Sequence, residues 1–301
     1  MTETPVLNSL PVGAPSRPDR PLGRLWRSLR GSPSALTGIV LVTLHLVVAL
    51  AAPLLAPDDP TRNDALATMQ SPSGAHLAGT DQYGRDVLSR TLYGGRISLA
   101  VSLSATLLAV GLGAVLGCLV AYRRGWLEEV VMRVVDAVLS VPPILALLVI
   151  VTVLGTGSTV IVLTVTAVYG PGVIRVVRAA ALEVVPRDYV TAARARGEGT
   201  VSVLLREIGP NVLDVVLVEF AMRASWVVLL VSSLSFLGFG ANPPTPDWGL
   251  MVAENRTLLS VAPWASIAPI IALSTLVIGL NMAADGLAKA LGVDRVLGGA
   301  A

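Results

Sequence analysis

Residues 186–211 read PRDYVTAARARGEGTVSVLLREIGPN, a polar stretch with four arginines set between long apolar runs. A connection between two helices needs only a handful of residues, yet this one holds two short helix-like pieces parted by Gly197 and Gly199. Tyr189, Ala192, Ala193 and Arg196 follow the i, i+3, i+4, i+7 spacing of one helical face. Two adjacent alanines keep the centre of that face narrow, so a partner surface can approach closely, while Arg187, Arg194 and Arg196 offer charge-assisted contacts at its rim. Beyond the glycines, Thr200 is placed to cap a second piece whose apolar face is Val201, Leu204, Leu205 and Ile208, with Pro210 ending it. One piece faces an outside partner and the other ties it to the ends of the flanking runs, which is the geometry of a lever.

Those flanking runs decide the class of protein. Of 301 residues, 53% are hydrophobic and only 14% charged, against roughly 25% charged in soluble domains, and the mean hydropathy is +0.73. Six segments are long and apolar enough to cross a bilayer, over residues 35–56, 97–121, 130–154, 158–177, 212–239 and 264–287. The first follows Arg24, Arg27 and Arg30 and contains small residues, as a cleaved signal would, but its length and the five later spans predict a retained anchor. An all-α, six-span membrane protein follows. With the N-terminus inside, sixteen of the 22 lysines and arginines fall on the cytoplasmic side and five outside, as the positive-inside rule requires. Both termini are then cytoplasmic, and residues 186–211 lie on the cytoplasmic side between spans four and five.

The resulting organisation is a disordered cytoplasmic tail (1–34), the first span (35–56), an extracytoplasmic loop and interfacial elbow (57–96), a five-span core (97–287) containing the lever, and a cytoplasmic tail (288–301). Pro142 and Pro143 in the third span and Gly170-Pro171-Gly172 in the fourth predict kinks. Glu219 and Arg223 lie four apart within the fifth span, where an ion pair softens the cost of charge in lipid and marks either a pathway or a structural contact. Asp81 with Arg85, and Asp86 with Arg90, are also four apart and predict a short helix laced by ion pairs at the outer surface. Pro243, Pro244 and Pro246 stiffen an outer loop in which Asp247 and Trp248 offer polar and aromatic contacts.

Several classes of chemistry are excluded. Cys118 is the single cysteine and lies in an apolar run, so no intrachain disulfide or thiolate metal set forms. His45 and His76 make no metal-ligand spacing, and no metal site is expected. The one lysine, Lys289, is followed by Ala290, so the chain carries no GxxxxGK[ST] loop for ATP. The isoelectric point near 9.0 reflects arginines in loops between spans, not a nucleic-acid patch. A stand-alone secondary transporter or channel is the competing class, but it has few intramembrane charges to use and leaves residues 186–211 without a role.

Three stretches carry a resemblance. Ala192, Ala193, Gly197 and Pro210 stand at the spacing of the EAA motif, EAA-x3-G-x9-I-x-L-P, of type I ABC importer permeases, with Thr191, Glu207 and Gly209 replacing its Glu, Ile and Leu. Residues 76–99, HLAGTDQYGRDVLSRTLYGGRISL, and 234–251, LSFLGFGANPPTPDWGLM, resemble two signatures of the dipeptide, oligopeptide and nickel group. The chain looks like its C-type member. The resemblance implies an inner-membrane permease that shares its pathway with a homologous second permease. It also implies two cytoplasmic ATPase subunits that hold ATP and Mg2+, an extracytoplasmic binding protein, and no cofactor in this chain. It implies coupling to the ATPase through Asp188, Tyr189, Ala192, Ala193, Arg194, Arg196, Gly197 and Pro210, and a binding-protein docking surface or outer gate built on Asp81, Arg85, Asp86, Asp247 and Trp248. Short peptides are the implied cargo, with nickel chelates or glutathione-like molecules as alternatives.

Overall fold

Ser32 caps the first helix: its hydroxyl accepts the Ala35 N–H at 3.4 Å and opens α1 (Pro33–Leu55). The structure, a computed structural model, describes residues 32–292. After a long outer loop come α2 (Val87–Arg123), α3 (Trp126–Leu139), α4 (Pro143–Leu154) and α5 (Ser158–Val184). The cytoplasmic stretch holds α6 (Asp188–Ala195), α7 (Thr200–Val203) and a π turn (Leu204–Ile208). These lead into α8 (Gly209–Phe236), an outer helix α9 (Trp248–Asn255) with a 3-10 turn (Arg256–Leu258), and α10 (Trp264–Leu291). Among the described residues there is no strand, only an isolated bridge between Thr80 and Asp86. Five helices are long and apolar enough to span a membrane, and the α3–α4 pair, bent by 91°, makes up to six.

The expected boundaries change in several places. The outer elbow is not a separate surface helix, because α2 runs unbroken through 37 residues from Val87. At 1.5 Å per residue that is roughly 55 Å, well beyond the ~30 Å hydrocarbon core, so part of it stands outside the bilayer. Pro142 and Pro143 do more than kink the third span, since the chain turns a corner at Ser140–Pro142 before α4 begins. Pro171 does less, and α5 continues through it. The C-terminal span runs four residues past 287, to Leu291. The polar N-terminal tail through residue 31, and residues 293–301, lie outside the described residues.

Close helix packing depends on small residues, as it must where lipid supplies no hydrophobic drive between helices. The pair α2–α5 meets at Gly113 and Gly117, where an added Cβ would sit 2.6 Å from the Cβ of Val173 and 2.9 Å from the Ile174 carbonyl oxygen. The pair α1–α10 meets at Gly38, where a Cβ would come within 2.4 Å of the Ala283 nitrogen. At the cytoplasmic end a cluster built from Ala121, Val177, Val184, Val190, Ala193 and Ile208 joins α2, α5 and the lever in one apolar core.

Candidate functional site

The cytoplasmic stretch is built as a stop and a splice. Asp188 stands in the first turn of α6, where a carboxylate opposes the helix dipole. Gly197 ends the helix in a left-handed conformation (φ 79°). The Glu198 N–H returns to the Ala193 carbonyl at 3.2 Å and the Gly197 N–H to the Arg194 carbonyl at 2.9 Å, a Schellman cap. Thr200 does not cap the next piece: it is already helical, Gly199 precedes it as N-cap, and its hydroxyl receives Arg123 at 3.4 Å. Pro210 does not end that piece either. Proline cannot donate to the helical ladder, and the turn widens so that the Gly209 N–H reaches the Leu204 carbonyl five residues back. Helical structure therefore runs from Thr200 to Phe236 without a stop.

The face of α6 is reassigned by packing. Val190 and Ala193 retain 0% exposure inside the cytoplasmic core, so Ala193 cannot meet a partner. Asp188, Tyr189, Ala192 and Arg196 remain exposed and form the outward face. Arg194 lies over the Tyr122 ring at 4.3 Å, tying α6 to the end of α2. Arg196 binds the Glu198 carboxylate at 2.6 Å, and Ser202 donates to the same group at 2.9 Å. These bonds, Arg196 first, hold the Glu198 carboxyl below its ordinary range. Two of the three rim arginines are thus engaged within the chain. Val201 and Leu205 of the expected apolar face are exposed and line an apolar groove together with Val115, Cys118 and Leu213.

The outer site is closed. Asp81, Arg85, Asp86, Asp247 and Trp248 retain 1% to 3% exposure, so none presents a docking surface, and a folded cap is what they make. Residues 81–86 form a turn. Asp81 accepts the Tyr83 and Arg85 N–H groups at 2.8 and 3.0 Å and pairs with Arg85 Nε at 2.6 Å. Asp86 does not pair with Arg90. It caps α2 through the Ser89 N–H at 2.7 Å and faces His76 Nδ1 at 3.1 Å. Arg90 turns inward to Asp81 at 3.5 Å and Glu254 at 3.2 Å, and donates to the Pro60 and Pro244 carbonyls. Glu254 also takes Arg85 at 2.7 Å, which closes a buried set of two cations and two anions between the first outer signature and α9, just past the second.

Asp247 caps α9 through the Leu250 N–H at 3.1 Å and accepts the Ser98 hydroxyl at 3.1 Å. Burial pushes its carboxyl above the usual range against the pull of those bonds. Trp248 donates to the Thr91 carbonyl at 2.8 Å and lies on Gly94 and Gly95. Glu254, Ser98, Thr91 and the grouping of His76 with Asp58 and Asp86 were not foreseen. Glu254 sits 169 residues from Arg85, a separation at which local spacing carries no signal. Within the membrane, Arg223 binds Glu219 at 2.6 Å, both half-buried, with the guanidinium against Gly172 of α5.

Residues 110–293 match the family described as binding-protein-dependent transport system inner membrane component. Residues 20–72 match the N-terminal TM domain of oligopeptide transport permease C. The chain is 36% identical over 287 residues to the glutathione transport system permease protein of Shigella dysenteriae serotype 1 (strain Sd197), covering 95% of each. It is 35% identical over the same length, again 95% of each, to that of Escherichia coli O157:H7. The dipeptide transport system permease protein of Haemophilus influenzae is 34% identical over 280 residues, 91% of this chain and 95% of the relative. With its membrane-length helices and the buried charges of its outer signatures, the chain belongs to the inner-membrane components of binding-protein-dependent transport systems, as a C-type, multi-pass permease subunit of a bacterial type I ABC importer.

Proposed function

We propose that this permease carries short peptides, and that the outward face of α6 is where an ATPase subunit drives it. The cargo reading is supported by relatives named for dipeptide and for glutathione, itself a short peptide. The expected assembly contains a homologous second permease, two cytoplasmic ATPase subunits that hold ATP and Mg2+, and an extracytoplasmic binding protein. The observation that carries the coupling proposal is the continuity of helical structure from Thr200 into the α8 span. A push on α6, packed onto Ile208 and Val203 through Val190 and Ala193, moves a stiff rod rather than a loop. Such coupling requires the two ATPase states to contact α6 differently. The cap locked by Glu254 is the proposed outer gate, with Glu219 and Arg223 bracing α8 against α5 beneath it.

The test is a cysteine at position 192, on a Cys118→Ala background, cross-linked to a cysteine in the groove of the co-expressed ATPase. The yield at 192 is expected to change with ATP, and a cysteine at the buried position 193 is expected to react poorly. No cross-link at 192, with both proteins folded in one membrane, rejects α6 as the coupling element. For cargo, a strain lacking the chain is expected to stop accumulating labelled dipeptide; unchanged peptide uptake with lost nickel accumulation would reassign it.

A further inference from the structure

The extracytoplasmic loop gathers a mixed ligand set that the transport reading leaves unused. His76 Nδ1 lies 3.1 Å from Asp86 Oδ1 and 3.8 Å from Asp58 Oδ2, and the three ligand atoms all lie within 4.8 Å of one another. They converge on a pocket of about 90 Å³ that Asp59, Asp64 and Arg62 also line. Two of the ligands are held in place by the fold. Asp86 spends Oδ2 on the cap of α2 and leaves Oδ1 to face the imidazole, and His76 sits in a turn whose carbonyl accepts the Ser73 and Gly79 N–H groups.

The third ligand, Asp58, stands at the solvent-facing mouth of the pocket, with its side chain 42% exposed. Asp59 and Asp64 spend their carboxylates on turn N–H groups, but no N–H or O–H among the described residues donates to the Asp58 carboxylate. One Nδ1 proton can satisfy only one of the two facing carboxylates. A cation bound by all three side chains satisfies the whole set. Two ligands at about 2.1 Å from a tetrahedral Zn2+ lie about 3.4 Å apart, and the observed 3.1 and 3.8 Å straddle that spacing. Four carboxylates against Arg62 give the pocket an excess of negative charge. One imidazole nitrogen with two carboxylates is a donor set for a first-row divalent ion, not for Mg2+ or Ca2+, which take oxygen ligands.

We propose that Asp58, His76 and Asp86 form an extracytoplasmic site for a divalent transition-metal ion, Zn2+ being the probe, with a fourth position open to water. Bound there, the ion clamps the chain just after α1 to the first turn of α2. It stiffens the outer loop without involving Glu254. The site does not depend on the cargo or on coupling through α6.

The experiment uses the full-length, tag-free chain in lipid nanodiscs, stripped with chelator and titrated with Zn2+ by calorimetry. One Zn2+ per chain is expected, with a rise in melting temperature. His76→Gln and Asp58→Asn should each weaken binding at least tenfold while melting near wild type in chelator. No binding up to about 100 µM Zn2+, the concentration range of weak protein sites, or binding that both variants leave unchanged, overturns the site. A second readout needs no variant: zinc X-ray absorption fine structure on the wild-type chain must show one imidazole among nitrogen and oxygen neighbours. A sulfur neighbour would place the ion at Cys118 and reject the proposal.

Discussion

Ala192 and Ala193 are identical side chains one residue apart, yet Ala192 is exposed and Ala193 lies at 0% exposure among Val190, Val203 and Ile208. An aspartate at 193 has to enter an apolar cluster with no partner, an unpaired charge that folded proteins avoid or neutralise at a cost of several kcal/mol. Ala193→Asp is therefore expected to lower the amount of folded permease, measured by fluorescence-detected size exclusion. Ala192→Asp is expected to keep normal amounts and to change only the ATPase response to substrate. Equal losses of folded protein in both would reject the assignment of faces. The same scale governs Glu219 and Arg223: Glu219→Ala leaves a half-buried guanidinium against Gly172 without its counter-charge. We expect less folded protein from Glu219→Ala and recovery in Glu219→Ala/Arg223→Ala, because removing both partners is far milder than removing one. A double variant no better than the single would show that the pair is not structural.

At the scale of elements, α9 is eight residues long and depends on its cap. Asp247 supplies that cap from a buried position whose carboxyl is pushed up by burial. A carboxyl with a raised folded pKa binds its proton more tightly folded than unfolded, so stability falls as pH climbs from the unfolded value of 3.8 through the folded one. Asp247→Asn keeps an acceptor for the Leu250 N–H and removes the desolvated charge. It is expected to melt no lower than wild type at about pH 7, with its advantage shrinking as the pH drops toward the unfolded carboxylate range near 4. Asp247→Ala loses the cap, about 1 kcal/mol, and is expected to melt lower at every pH. An Asn variant as unstable as the Ala variant at neutral pH would contradict burial as the dominant influence.

Across the whole molecule, the two outer signatures meet because α2 and α9 are folded against each other, through Ser98 with Asp247 and Trp248 with Thr91, and the buried set of Asp81, Arg85, Arg90 and Glu254 locks the first signature to α9 just past the second. Removing one member of a buried ion set costs about 3–5 kcal/mol. Glu254→Ala, which leaves two arginines on one aspartate, is expected to lower the melting temperature sharply and to expose the outer loop to protease on whole cells. A variant that melts with wild type would show that the cap does not depend on this lock.

How much of this was legible beforehand differs by distance along the chain. Span count, the bend at Pro142 and Pro143, and the glycine stop at Gly197 depend on hydropathy and local backbone chemistry, which neighbouring residues carry between them. Spacing misled where a local rule met a tertiary competitor. Arg90, four residues from Asp86, pairs instead with Glu254, and Pro210, expected to end a helix, is absorbed by a π turn because α8 must continue into the membrane. Trp248, read as an exposed contact, is buried on Gly94 and Gly95.

By itself, then, the sequence determined an all-helical membrane chain and its family, since twenty-residue apolar runs and ordered signatures are properties of composition and order. Only the tertiary structure decided which face of α6 looks outward, that Asp81, Arg85, Asp86, Asp247 and Trp248 of the outer signatures are interior, and that Asp58, His76 and Asp86 converge. Burial and charge pairing are set by residues tens to hundreds of positions away, and no local pattern encodes them.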